Sequence, residues 1–137
     1  MRIEHVAIFT KDLEKMRTFY EIYFDATSGE KYHNQKTGFQ SYFLTFASGS
    51  RLELTTKAHL SPRIAESFGY THLAMAVGNK LAVDQLATQF VADGFPLLSG
   101  PRTTGDGYYE AVIQDPEGNL IELTTDLPND SGDDLQD

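Results

Sequence analysis

The chain has 137 residues, of which 40% are hydrophobic and sixteen aromatic, enough for one compact domain with a substantial core. Net charge is −9, but the last twelve residues hold five Asp and no base, leaving 15 acidic against 11 basic residues elsewhere and no basic footprint for nucleic acid. No apolar run approaches the roughly 18 residues of a membrane span, no signal peptide is expected, and the absence of cysteine excludes disulfides and thiolate ligands and fits a cytoplasmic protein.

Residues 2–10 predict a strand, with Ile3, His5, Ala7 and Phe9 on one face and Val6 and Ile8 on the other. Thr10 or Asp12 can cap the helix that follows, whose buried face is predicted from Leu13, Met16, Phe19, Tyr20 and Tyr23. Residues 25–37 read as an irregular strand and loop, and 38–46 as an aromatic strand. A Gly49-Ser50 turn then returns the chain along 51–56. After a link over 57–69, residues 70–77 predict a strand and Asn79 the cap of a helix over 80–93. Leu81, Leu86, Phe90 and Val91 form its expected buried stripe, and Gly94 its left-handed end. Residues 95–99 read as a short strand and 100–107 as a loop. Residues 108–114 and 120–125 then form a hairpin around Asp115-Pro116-Glu117-Gly118-Asn119.

The order repeats, and so do particular residues. Gly49-Ser50-Arg51-Leu52-Glu53-Leu54-Thr55-Thr56 is answered 69 positions later by Gly118-Asn119-Leu120-Ile121-Glu122-Leu123-Thr124-Thr125. His5 in the first strand is answered by His72 in the fifth predicted one. The fold class is therefore α+β: two tandem βαβββ modules, at about 1–56 and 70–126, pairing as a half-barrel sheet around a metal cavity. The acidic tail, 127–137, is expected to be disordered. On this reading His5, Glu53, His72 and Glu122 converge, and two imidazoles with two carboxylates suit a divalent ion such as Ni, Zn, Co, Fe or Mn. Positions left open on such an ion admit substrate oxygens, which favours a catalytic role. His33 and His59 have no matching partner and read as surface residues.

With these motifs the chain resembles the vicinal oxygen chelate superfamily, which includes glyoxalase I, extradiol dioxygenases and the fosfomycin- and bleomycin-resistance proteins. Residues 51–55 and 115–122 carry most of the match, and the His/Glu/His/Glu set is similar to the metal ligands of bacterial glyoxalase I. The resemblance implies a metal-dependent lyase or isomerase that transfers a proton on an enediolate-forming substrate, such as a 2-oxoaldehyde–thiol hemithioacetal. It implies Glu122 as the proton-transfer base with Glu53 as its partner, a small-molecule substrate and a homodimer. Glyoxalase I carries an arginine where this chain has Phe9 and an asparagine where it has Lys57, so its glutathione clamp is not visible. Candidate substrate contacts are Phe9, Arg51, Lys57, Arg102, Tyr108 and Tyr109. Two alternatives stay open: a fosfomycin-type thiol or water transferase, and a dimeric drug-binding protein without catalysis.

Overall fold

A computed structural model of the protein describes residues 1–126; the acidic tail, 127–137, lies outside the described residues. The chain divides into two compact units, with the boundary between Ala65 and Glu66, inside the predicted link.

The first unit begins with β1 (His5–Phe9) and α1 (Leu13–Phe24). Asp12 caps α1 by accepting a hydrogen bond from the Lys15 amide at 3.1 Å, while Asp25 closes it in the left-handed region at φ 53°. Leu13, Met16, Phe19 and Tyr20 form the buried face as the spacing predicts. Two short strands follow, β2 (Thr27–Ser28) and β3 (Tyr32–His33), then β4 (Gln40–Thr45) and β5 (Arg51–Thr56). The sheet runs β1-β5-β4-β2, with β3 also on β4. β2 and β3 thus share one edge of β4, so the segment read as an irregular strand and loop is a strand broken in two.

The second unit repeats this plan with β6 (His72–Gly78), α2 (Lys80–Ala92), β7 (Leu97–Thr103), β8 (Tyr109–Gln114) and β9 (Leu120–Thr125), ordered β6-β9-β8-β7. Asn79 caps α2 by accepting from the Ala82 amide at 3.0 Å. Its buried face is Val83, Ala87 and Phe90, at spacing i, i+4, i+7, so of the expected stripe Phe90 alone is fully buried. Leu81 and Val91 are more than half exposed. The small Ala87 lets the helix lie close to the sheet, so the contact line runs through residues that a count of large apolar side chains passes over. Phe90 and Tyr20 are fully buried, each worth roughly 1.5–3 kcal/mol of apolar burial.

β7 is longer than predicted. It continues through Gly100-Pro101, whose peptide bond is cis, to Thr103, and its pairing with β8 shifts register twice. An edge strand tolerates both features, because the proline needs no partner on its outer side. The hairpin turn is as read: the buried Asp115 carboxylate accepts from the amides of Glu117 at 2.9 Å and Asn119 at 3.0 Å. Gly118 supplies the positive φ of 84°.

The two sheets share one register. β1 runs parallel to β5 with Ala7 beside Glu53, and β6 parallel to β9 with Ala74 beside Glu122. Phe43 faces Glu53 across β4, and Val112 faces Glu122 across β8. In each unit the helix covers one sheet face, and the histidine and glutamate stand on the other.

Candidate metal centre

Parallel pairing places His5 and Glu53 on one face, with Nε2 of the imidazole 3.7 Å from Glu53 Oε1. In the second unit, His72 Nε2 lies 3.1 Å from Glu122 Oε1. Two ligands bonded at about 2.1 Å to one ion stand about 3.0 Å apart at a right angle and about 3.4 Å apart in a tetrahedron. The second pair fits such an edge as it stands, and the first fits after closing by a few tenths of an ångström. The donor chemistry, nitrogen with carboxylate oxygen, also suits a divalent first-row ion. Among the described residues no group of three or more His, Asp or Glu is close enough to hold a metal. What the structure brings together is each pair.

The residue before each histidine holds its other nitrogen. Glu4 Oε1 stands 3.4 Å from His5 Nδ1, and Thr71 Oγ1 stands 2.7 Å from His72 Nδ1. An oxygen at Nδ1 fixes the ring and turns Nε2 toward the ligand position, the arrangement that orients metal-binding histidines generally. The hydrogen bond from Arg51 keeps the Glu4 carboxyl at a pKa of about 2, well below the usual carboxylate range. Neither Glu4 nor Thr71 is singled out by the sequence reading, although each directly precedes its histidine.

Arg51 is committed locally. Its Nε donates to Glu4 Oε2 at 2.9 Å, and its guanidinium lies 4.1 Å from the centre of the Phe43 ring. That ring in turn meets His5 edge-on at 5.2 Å. Phe9 is 57% exposed on the His5 face, with Lys57 Nζ 5.3 Å from its ring centre. The two departures from the glyoxalase I pattern are therefore neighbours. Arg102 is register partner to Glu110 on β7, and Tyr108 is half-buried just before β8.

Tyr109 is a correction. Its hydroxyl donates to Asp84 of α2 and Lys80 lies 5.8 Å from its ring, so it ties the helix to the sheet instead of facing Glu122. Burial, reinforced by the Asp84 bond, pushes its pKa up to about 12. The alternation of a strand requires this: Tyr109 and the fully buried Ala111 share one face, and Glu110 and Val112 the other.

Glu110 is the residue that the sequence reading missed. It is half-buried beside Glu122; burial, and then the Glu122 charge and hydrogen bond, raise its pKa above the usual range. Counting outward from the hairpin turn would have paired it with Thr124, as observed. His33 and His59 are exposed, the latter in the left-handed region.

Residues 2–123 match the Glyoxalase/Bleomycin resistance protein/Dioxygenase superfamily. The chain belongs to that superfamily. The uncharacterized protein YqjT of Bacillus subtilis is 25% identical over 128 residues, covering 88% of this chain and 96% of that protein. A trypanothione-dependent glyoxalase I of Leishmania major superposes with a TM-score of 0.76 at 23% identity, covering 91% of this chain and 86% of that one. A glyoxalase/bleomycin resistance protein/dioxygenase domain from a Frankia species gives a TM-score of 0.78 at 15% identity, over 91% and 97%. At these identities the two structures bear on the fold alone. Membership in the superfamily accounts for the duplicated βαβββ plan, and no helix among the described residues is long and apolar enough to cross a membrane.

Proposed function

We propose that the protein is a metal-dependent lyase or isomerase of the glyoxalase type, acting on a small 2-oxoaldehyde–thiol adduct or a close analogue. The observation that carries this reading is the twofold repetition of a histidine and a glutamate in identical register, each Nε2 aimed at its carboxylate and each Nδ1 held by the preceding residue. His5, Glu53, His72 and Glu122 would hold one divalent ion. Such an ion supplies Lewis-acid polarisation of the substrate oxygens. Glu122, as the base, removes a proton from one substrate carbon and returns it to the adjacent carbon, so the reaction is an isomerisation with no net proton change. Glu53 is its partner, as ligand and as second carboxylate. Arg51 keeps Glu4 ionised beside His5 and so acts on the imidazole rather than on substrate.

Phe9 and Lys57 bear on the thiol. An exposed ring with an ammonium beside it suits an anionic group carried on an apolar stem, a different match from the glutathione clamp. A homodimer belongs to the same proposal, supported by the exposed apolar side chains Ile64, Phe68 and Tyr70 close to the boundary of the units. One clear test uses Glu122→Gln. Metal load should fall only moderately, since the amide oxygen can still coordinate, while turnover of methylglyoxal hemithioacetals falls by roughly 10²–10⁴-fold. Full turnover in Glu122→Gln at normal metal load would remove Glu122 as the base. Failure of every hemithioacetal of glutathione, bacillithiol and small thiols, with Ni, Co, Zn and Mn, would remove the glyoxalase reaction. The aligned-ligand observation leaves the drug-binding alternative without a reason for its carboxylates.

A further inference from the structure

The duplication provides an internal comparison within the sheet faces, and at one place the modules differ sharply. Thr55 and Thr124 occupy the same register position, two residues beyond Glu53 and Glu122. Thr55 Oγ1 donates to the Ile8 carbonyl at 3.2 Å. Thr124 is only 8% exposed, and its hydroxyl oxygen is buried with no hydrogen-bond partner. A buried hydroxyl left without a partner is uncommon in native proteins and calls for a group that answers it. The neighbours differ as well. Thr55 stands between Phe9 and Ser41, and Thr124 between Ala76 and Glu110. Exchanging a phenyl ring for a methyl and a serine for a glutamate gives Thr124, two residues beyond Glu122, smaller and more acidic neighbours than Thr55 has.

Resting on the metal-site reading above, we infer that Glu110 and Thr124 form a subsite for a hydroxyl group of the ligand. The hydroxyl proton is donated to the Glu110 carboxyl, and the hydroxyl oxygen accepts from Thr124 Oγ1. A carboxyl group can accept in either protonation state, so the pairing does not depend on titration. Other chemistries fit less well. A carboxylate or phosphate would face Glu110 and Glu122 together, an ammonium offers nothing for the Thr124 proton to reach, and a methyl leaves the Thr124 hydroxyl unanswered. The ligand class is therefore a small oxygen chelator with a hydroxyl next to its chelating atoms.

The experiment compares two hydroxamates that differ by that one hydroxyl, acetohydroxamate and glycolohydroxamate, binding to the nickel-loaded full chain in titration calorimetry. The wild-type protein is expected to bind glycolohydroxamate roughly fivefold more tightly, the value of one satisfied hydrogen-bonding group. Thr124→Val keeps the shape of the side chain and should bring the ratio to about one. Thr55→Val, at the matched position with a bonded hydroxyl, should keep the wild-type ratio. Nickel-dependent binding with no preference in the wild type, or a preference retained in Thr124→Val, overturns the subsite while leaving the metal reading in place. Absence of nickel binding overturns both. Circular dichroism and melting of each variant identify loss of fold, and Glu110→Ala, expected to lose the same preference, gives the reading a second and independent variant.

Discussion

Replacing His72 with Ala separates ligation from structural support, because the side chain is 36% exposed on an open sheet face. Removing it opens no cavity, so stability without metal should change by no more than about 0.5 kcal/mol, or about 2 °C. The metal-loaded protein behaves differently. An ion at one hundred times its Kd stabilises the native state by about 2.7 kcal/mol. For a chain of this size, that raises Tm by about 8–13 °C. If the lost imidazole weakens binding about a hundredfold, the same concentration only equals the new Kd, and the gain shrinks to about 0.4 kcal/mol, or 1–2 °C. Calorimetric melting of chelator-treated protein, with and without added nickel or cobalt, reads both quantities in one experiment. His5→Ala should behave likewise, and His33→Ala, an exposed residue in β3, should retain the full rise. A rise of wild-type size in His72→Ala, His5→Ala and the double variant would mean that the ion binds elsewhere, and the site would be abandoned.

Gly100→Ala should destabilise the second unit by about 3 kcal/mol in chemical unfolding, since a Cβ there would sit 2.4 Å from the Glu110 carbonyl oxygen at a φ of 76°; a loss below 1 kcal/mol would contradict the packing described. Tyr109 has a folded pKa raised to about 12, above the ordinary value near 10, so the folded state holds its proton longer. Its stabilising share is present below about pH 10 and is lost as pH rises toward 12. The loss is smaller than the full linkage slope of about 1.4 kcal/mol per pH unit, because solvent screens a part-exposed ring. Tyr109→Phe should flatten that alkaline decline, and an unchanged profile would remove Tyr109 as the group responsible. Light scattering at micromolar concentration should give twice the chain mass, and a monomer mass would refute the dimer.

The parts of the fold legible in the sequence are those written in period and punctuation. Alternation on residues 51–56 and 120–125 marked two strands and put each glutamate on the face opposite the buried leucines, and Asp12 and Asn79 marked both helix starts. Illegible parts share a physical reason: tertiary context overrode a local signal. Gly100-Pro101 reads as a loop because both residues break regular structure, yet β7 lies at a sheet edge where the missing donor is harmless. α2 buries Ala87 because closeness to the sheet outweighs side-chain size. The direction of Tyr109 depended on where β8 begins, and one residue of register reverses the face of every side chain. Glu110 needed the hairpin to be counted outward before its position opposite Thr124 could be seen.

What differs between the modules is as informative as what repeats. The ligand pair and the atom behind each Nδ1 recur, so the groups that would hold the ion have a counterpart in each module. Around them, three register positions diverge together: Phe9 against Ala76, Ser41 against Glu110, and Lys57 against Asp126. One flank becomes aromatic and cationic, and the other small and acidic. Random drift on a structural scaffold would not be expected to leave Thr55 bonded and its counterpart Thr124 buried and unanswered, since that arrangement costs stability unless something answers it. On the function proposed above, the Phe9–Lys57 position of one module suits an anionic group and the Glu110–Thr124 position of the other a hydroxyl. A symmetric or purely apolar ligand would give neither flank a purpose.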